Sequence, residues 1–410
     1  MIYTVQSPKK LKGSIQLPAS KSISNRALLL NALSESIYFI KNISDCDDTK
    51  VMKRAFNQSQ STIDIEAAGT SMRFLTAYFS AILGEQRILT GSERMKNRPI
   101  GILVDALRQI GAEIEYAEKE GYPPLKINGK ILEGGVISLE GGVSSQYISA
   151  LMMIAPLTKK GIRLKIKGDL ISKPYIRMTQ ALMKDFGVSS TWMLDTISIE
   201  KKKYTPIFNF TVESDWSAAS YWYEMIALKE EPAEIELKGL YKKSYQGDAV
   251  VAELFEKLGV STEYTDTGVI IRKTNARLAS FKYNFVQEPD LAQTFAVVCA
   301  LKNIPFHFEG VQSLKIKETD RIVALQTELS KLGYVVEAND KEIWWDGTCC
   351  SPEENPIINT YEDHRMAMAF APVALVKEQV RINEPSVVSK SYPSYWNHLQ
   401  QAGFLIKEEK

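Results

Sequence analysis

The chain has 410 residues, 45% of them hydrophobic, and its 50 basic side chains against 49 acidic ones give a formal net charge of +1. That length buries two ordinary cores or one large one, and the balanced charge excludes a general attraction to nucleic acid or to an anionic membrane, so any cationic site must be local. Three scattered histidines, His307, His364 and His398, and four cysteines, Cys46, Cys299, Cys349 and Cys350, with neither HxxxH nor CxxC spacing, predict no metal site and no disulfide framework.

The first segment, MIYTVQSPKKLKGSIQLP, carries charges where a secretory leader needs an apolar core, and no run of about eighteen apolar residues follows. A cytoplasmic protein is expected. The next segment, LPASKSISNRALLLNAL, puts Lys21 and Arg26 at the start of an apolar helix. The first turn of a helix already carries the positive end of the dipole, so cations there imply an anion to be held.

Further along, five segments share one pattern, a helix-period stretch, a glycine suited to a left-handed cap, then β-branched residues. The glycines are Gly111, Gly187, Gly259, Gly333 and Gly403, spaced 76, 72, 74 and 70 residues apart. A second, more apolar helix per unit starts at Ser20, Thr70, Ser144, Asp215, Asp290 and Asp363, with spacings of 50, 74, 71, 75 and 73. A repeated supersecondary unit of roughly seventy residues follows, in six copies with the first shortened. The helix starts predict N-caps, the wide apolar faces predict burial, and alternating strands such as GIRLKIKG predict sheet with one face solvated. Six units divide into three and three, with the break near KKKYTPIFNFTVES.

Several helix starts are too cationic for simple caps: SKSISNR, SERMKNRPIG with Arg94, Lys96 and Arg98, SLKIKETDRI with Lys315, Lys317, Glu318, Asp320 and Arg321, YEDHRMAM with His364 and Arg365, and SVVSKSYPSYW with Lys390. Taken singly, each is most simply a solvated junction with a capping box. Their recurrence at repeated helix starts implies a composite site for a ligand with more than one anionic group. Ser144, Ser145 and Gln146 add uncharged donors, as do Ser172 and Tyr175, while Asp290 reads either as a cap or as a carboxylate accepting a substrate hydroxyl. No GxGxxG follows a strand and no GxxxxGK[ST] occurs.

The ordered motifs SKSISNRALL, AGTSMRF, RMKNRPIG, SSQYISALM, ISKPYI, DWSAASYW, KETDRI, DHRMAMA and SKSYPSYW resemble those of the 5-enolpyruvylshikimate-3-phosphate synthases, over Lys21 to Trp396. The resemblance implies an α/β fold of two domains, each an inside-out α/β barrel of three βαβαββ units. It places the first domain at 15–213, the second at 1–14 plus 214–410, and the active site in the cleft between them. It implies transfer of the enolpyruvyl group of phosphoenolpyruvate to the 5-hydroxyl of shikimate 3-phosphate, with release of phosphate. Small-molecule substrates, no nucleic acid, no membrane, no cofactor, no metal and a monomer are expected.

By the same resemblance, shikimate 3-phosphate meets Lys21, Ser22, Arg26, Ser144, Ser145, Gln146, Ser172, Tyr175, Asp290 and Lys317. Phosphoenolpyruvate meets Lys21, Gly69, Arg98, Gln146, Arg321, Arg365 and Lys390, the arginines offering bidentate forks. Asp290, Glu318 and Lys21 carry the proton transfers. Ala67 and Ser313 stand where the family usually has Asn, and each removes a donor. Gly69 is the small residue that leaves room for glyphosate, which predicts inhibition.

The nearest rival is the UDP-N-acetylglucosamine enolpyruvyl transferase family, which carries a catalytic Cys or Asp before its RP segment. Here that loop reads LTGSERMKNRP, and no cysteine lies between Cys46 and Cys299. A non-catalytic or RNA-associated protein of the same units lacks support, because no aromatic residues interleave with a basic stripe.

Overall fold

The computed structural model describes residues 1–58, 60–142 and 144–409. Contacts divide the chain into two compact units, Ser20–Val212 and a second made of Met1–Ala19 with Glu213–Lys410. The chain crosses at 19/20 and 212/213, a few residues from the expected 14/15 and 213/214. The reason is that Lys12–Gln16 is a strand paired in parallel with Glu234–Lys238, which ties the chain through Ala19 to the second unit.

The second unit contains three four-stranded sheets. In the first, Lys12–Gln16 pairs in parallel with Glu234–Lys238, and Gly268–Lys273 and Val260–Tyr264 continue it antiparallel. In the next, Phe281–Asn284 and Phe306–Glu309 form the parallel pair, followed by Glu342–Trp345 and Glu337–Ala338. The third takes Ile357–Ile358 and Gln379–Asn383 from the C-terminal repeat but fills its next place with Ile2–Gln6, against which Leu405–Glu409 lies. Without that N-terminal strand the inner positions of the sheet would have unpaired backbone groups.

The unit Ser20–Val212 repeats the plan in two sheets, Thr62–Asp64 with Gln86–Thr90, Leu125–Asn128 and Glu113–Tyr116, and Gly135–Glu140 with Ile162–Lys167, Thr196–Ile199 and Ser190–Met193. The shortened first repeat is reduced among the described residues to the parallel bridge Lys41–Thr211.

Helices lie inside and sheets outside. All ten residues of the helix Ala292–Leu301 are buried, as are twelve of the thirteen in Trp216–Leu228 and eleven in Gly69–Ala81. The strands alternate instead, Ile162–Lys167 burying every second residue, as a sheet with one solvated face requires. Each apolar side chain fully buried on such a helix is worth about 1.5–3 kcal/mol. The five repeat glycines all follow helices with positive φ, between 85° and 101°, so the left-handed caps expected from their spacing are present.

The N-caps are less uniform. Ser144, Asp215 and Asp363 accept hydrogen bonds from first-turn amides, whereas Ser20 caps by position only. Thr70 is not a cap, since its helix begins at Gly69 after Ala68. Asp290 is not one either: it lies in a 3-10 turn, Pro289–Leu291, ahead of the helix, and its carboxylate is engaged by cations.

Candidate active site

In the unit Ser20–Val212, side chains bring four helix starts together. Arg26, in the second turn of Lys21–Leu33, donates from Nε to Thr179 Oγ1 (2.7 Å) and from its terminal nitrogens to Ser149 Oγ and to the carbonyls of Ser22 and Tyr175. Those partners belong to the helices Ser145–Ile154 and Lys173–Asp185 and to its own. Gln146 donates to Thr70 Oγ1 at 3.2 Å, joining the start of Gly69–Ala81.

Arg26 is 2% exposed and its acceptors among the described residues are all neutral, so burial pulls the guanidinium down to about 10. A buried cation without a carboxylate costs several kcal/mol unless an anion joins it. Arg98 is half-buried and has neither a hydrogen-bond nor an ion-pair partner for its guanidinium among the described residues. It packs on Gly69, where a β-carbon would fall 2.7 Å from Arg98 Nη1. The glycine thus seats that guanidinium at a helix N-terminus.

Lys21 stands 3.8 Å from Asp48, a carboxylate that sequence reasoning missed. Ser144 caps Gln146, Ser145 is buried beside it, and Ser22 offers its carbonyl to Arg26. Ser172 holds a left-handed conformation, φ 55° and ψ 39°, at the start of Lys173–Asp185. A non-glycine residue there costs on the order of 1–3 kcal/mol, which points to a constrained position. Tyr175, one turn on, is half-buried. Ala67 is exposed two residues before Gly69.

In the other unit, Arg321 is the centre. It donates to Asp363 Oδ2 (2.7 Å), Asp290 Oδ1 (3.0 Å) and Glu318 Oε2 (2.9 Å), and is 1% exposed. Asp290 also meets Arg365 at 2.9 Å and Lys317 at 3.4 Å, and Glu318 meets Lys390 at 3.1 Å. The six residues expected here, Asp290, Lys317, Glu318, Arg321, Arg365 and Lys390, form one connected ion network. Burial works against the Asp290 charge, but Arg365, Lys317 and Arg321 together hold its carboxyl well below the usual range.

Asp363 caps its helix, as its place in the sequence predicts, and also anchors Arg321; Tyr221, which accepts from Arg365 at 3.2 Å, carries no sequence signal. Asp248, bonded by the Ser217 hydroxyl, is likewise unmarked in sequence, and burial together with the Asp290 charge pushes it up to about 7. Other charges in the same motifs are surface pairs: Lys96 with Glu118, and Lys315 with Asp340. Ser313 lies half-buried in the turn Gln312–Ile316.

Each cluster is built to hold anions, the first by under-compensated guanidinium groups and the second by cations whose carboxylates can be exchanged for a ligand's. A family model described as EPSP synthase (3-phosphoshikimate 1-carboxyvinyltransferase) matches residues 5–59 and 53–399. The chain is 56% identical over 99% of both lengths to a 3-phosphoshikimate 1-carboxyvinyltransferase of Bacteroides fragilis, and 39% identical to one of Vibrio atlanticus over 97% of this chain and 98% of that one. Among solved structures, an EPSP synthase from Acinetobacter baumannii covers all of both chains with a TM-score of 0.78 at 20% identity. The enolpyruvyl transferase NikO from Streptomyces tendae matches with a TM-score of 0.74 at 15% identity, over 99% of this chain and 98% of that one. The chain therefore belongs to the EPSP synthase family, the 3-phosphoshikimate 1-carboxyvinyltransferases.

Proposed function

We propose that this chain transfers the enolpyruvyl group of phosphoenolpyruvate to the 5-hydroxyl of shikimate 3-phosphate, releasing phosphate, as a cytoplasmic monomer of the shikimate pathway. The observation that carries the reading is the match, over nearly the whole chain, to curated carboxyvinyltransferases at 56% identity. The chemistry of both clusters supports it, because each substrate carries phosphate and carboxylate, the first cluster offers Arg26 with neutral acceptors only among the described residues, and the second gathers four cations around three carboxylates.

Shikimate 3-phosphate is assigned to Lys21, Ser22, Arg26, Ser144, Ser145, Gln146, Ser172, Tyr175, Asp290 and Lys317, and phosphoenolpyruvate to Lys21, Gly69, Arg98, Gln146, Arg321, Arg365 and Lys390. Arg321 acts chiefly by position, since three carboxylates already use its fork. Arg98, which has no such partners among the described residues, and Arg365 are the stronger anion ligands.

The reaction protonates the methylene carbon of phosphoenolpyruvate and forms a bond from the 5-hydroxyl oxygen to the adjacent carbon. The resulting tetrahedral adduct loses phosphate and gives back one methyl proton, which regenerates the double bond. Lys21 and Glu318 are assigned to proton movement at that carbon, and Asp290 to the proton of the hydroxyl. Asp290 ringed by three cations is a weak base. Anionic substrate drawing on Arg365 and Lys317 would loosen that hold and raise its basicity, coupling binding to catalysis. The same cations stabilise the charge that develops on the departing phosphate.

The test mixes the full chain with both substrates and follows phosphate release. Release that requires both supports the assignment, and release with UDP-N-acetylglucosamine in place of shikimate 3-phosphate would replace it. Glyphosate should inhibit competitively with phosphoenolpyruvate, and a progress curve unchanged at millimolar glyphosate would remove that expectation. Elution of the chain as a dimer would overturn the monomer.

A further inference from the structure

We propose that the solvated face of the sheet Phe281–Asn284, Phe306–Glu309, Glu342–Trp345 and Glu337–Ala338 carries a divalent metal site, with His307, Glu309 and Glu342 as ligands and a zinc-class ion as occupant. The strand register makes the grouping. Phe306 and Phe308 turn inward with Ile343 and Trp345, all buried, so His307 and Glu309 share the outer face with Glu342 and Trp344. Glu309 lies directly opposite Glu342. Like charges at directly opposed positions are destabilising, and no lysine or arginine ion pair relieves either carboxylate among the described residues. Lys282, next to His307 on the parallel neighbour, pairs with neither.

The donor atoms of the three residues all lie within 4.8 Å of one another. Zinc takes nitrogen and oxygen ligands at about 2.0–2.2 Å, which sets tetrahedral ligand atoms about 3.3–3.6 Å apart. His307 Nε2 stands 3.4 Å from Glu342 Oε2, is shielded from solvent and makes no hydrogen bond. That spacing suits two ligands of one ion better than a donor and its acceptor. Both carboxylates are oriented by neutral amides, Asn284 donating to Glu309 Oε2 and Asn339 to Glu342 Oε2 at 3.1 Å. Such outer partners fix ligands without competing for charge. The expectation of no metal site rested on HxxxH spacing, which does not detect an HxE pair on a strand completed by a residue thirty-three positions later.

The ion would staple the two central strands and take no part in enolpyruvyl transfer. The full chain, stripped with a chelator, is titrated with ZnCl2 by calorimetry while tryptophan emission is followed, since the His307 and Trp344 rings lie 6.1 Å apart. One ion per chain is expected, with micromolar or tighter affinity, weakened by at least about tenfold in both His307→Gln and Glu342→Gln. Cobalt should give the visible absorption of a tetrahedral site, and Trp344→Phe should abolish the emission change but not the heat. Phosphate release should be equal with and without zinc. Absence of saturable binding up to about millimolar zinc, or equal binding by His307→Gln, overturns the proposal. A variant that fails to fold is replaced by Asn339→Ala, which must weaken the affinity if the outer partners are as assigned.

Discussion

Arg321 and Arg26 are both buried arginines near helix starts, yet their surroundings assign them opposite work. Arg321 is saturated by Asp363, Asp290 and Glu318, so removing a partner leaves charge buried. Asp363→Ala should cost about 3–5 kcal/mol of stability, the usual result of breaking a buried pair, measured as a shift in the urea midpoint. Among the described residues Arg26 has only neutral partners, and Arg26→Gln should instead leave stability nearly unchanged while weakening shikimate 3-phosphate binding by calorimetry. Asp290→Asn keeps the side chain's size and should lower turnover by about 10²–10⁴-fold, with both substrates still bound; an unchanged rate would move the base elsewhere. Asp248 provides the pH test. Its folded value, about 7, lies above the ordinary 3.8, so the folded state keeps a proton that the unfolded chain has lost. That contribution is complete below about pH 3.8 and is lost as pH rises through 7, a few kcal/mol at about 1.4 per unit. Urea midpoints of Asp248→Asn should therefore gain on wild type between pH 5 and 8; parallel curves would mean that Asp248 is ionised throughout.

At the scale of elements, local signals were legible where the chain itself supplies the chemistry. Gly111, with φ 97° and open space where a β-carbon would go, shows why: the backbone conformation alone selects glycine. Gly111→Ala should cost about 1–2 kcal/mol from that strain alone, read in a thermal melt, and Gly111→Asn less. Thr70 has cap chemistry, but its helix starts one residue earlier at Gly69 and Gln146 donates to its hydroxyl; of the two readings open to Asp290, the cap yields to the carboxylate engaged by cations, because a 3-10 turn sets it ahead of the helix. Phe295, fully buried among Phe255, Phe281 and Phe285, sits on a helix with no exposed residue. Phe295→Ala should cost about 3–5 kcal/mol. The burial of such helices was readable from their composition, whereas which aromatic rings would surround Phe295 was not.

For the whole molecule, the notable feature is the insertion of one unit in a crossover of the other. The strand Lys12–Gln16 and the helix Trp216–Leu228 belong to one repeat, yet residues 20–212 intervene. The two crossing segments are held together by the Ala19–Ser214 bridge and by Asp215 donating to the Pro18 carbonyl at 2.9 Å. Excising 20–212 and joining Ala19 to Glu213 through a short glycine linker should therefore leave a unit that unfolds cooperatively, because its core is its own. It should release no phosphate. A product without a cooperative transition would mean that the inserted unit is needed for folding.

The sequence by itself determined the repeat, the buried helices, the glycine caps and the family, and it nominated residues for the candidate site, since each rests on spacing or on chemistry carried by contiguous residues. Only the tertiary structure decided which of those charges are sated and which stand open, that Asp363 and Asp48 back the site cations, and that Ile2–Gln6 completes the sheet of the last repeat. It also decided that His307, Glu309 and Glu342 share one face. The physical reason is common to all of these: a side chain's charge state and partners depend on burial and on residues brought near by strand register, and neither is a property of local sequence.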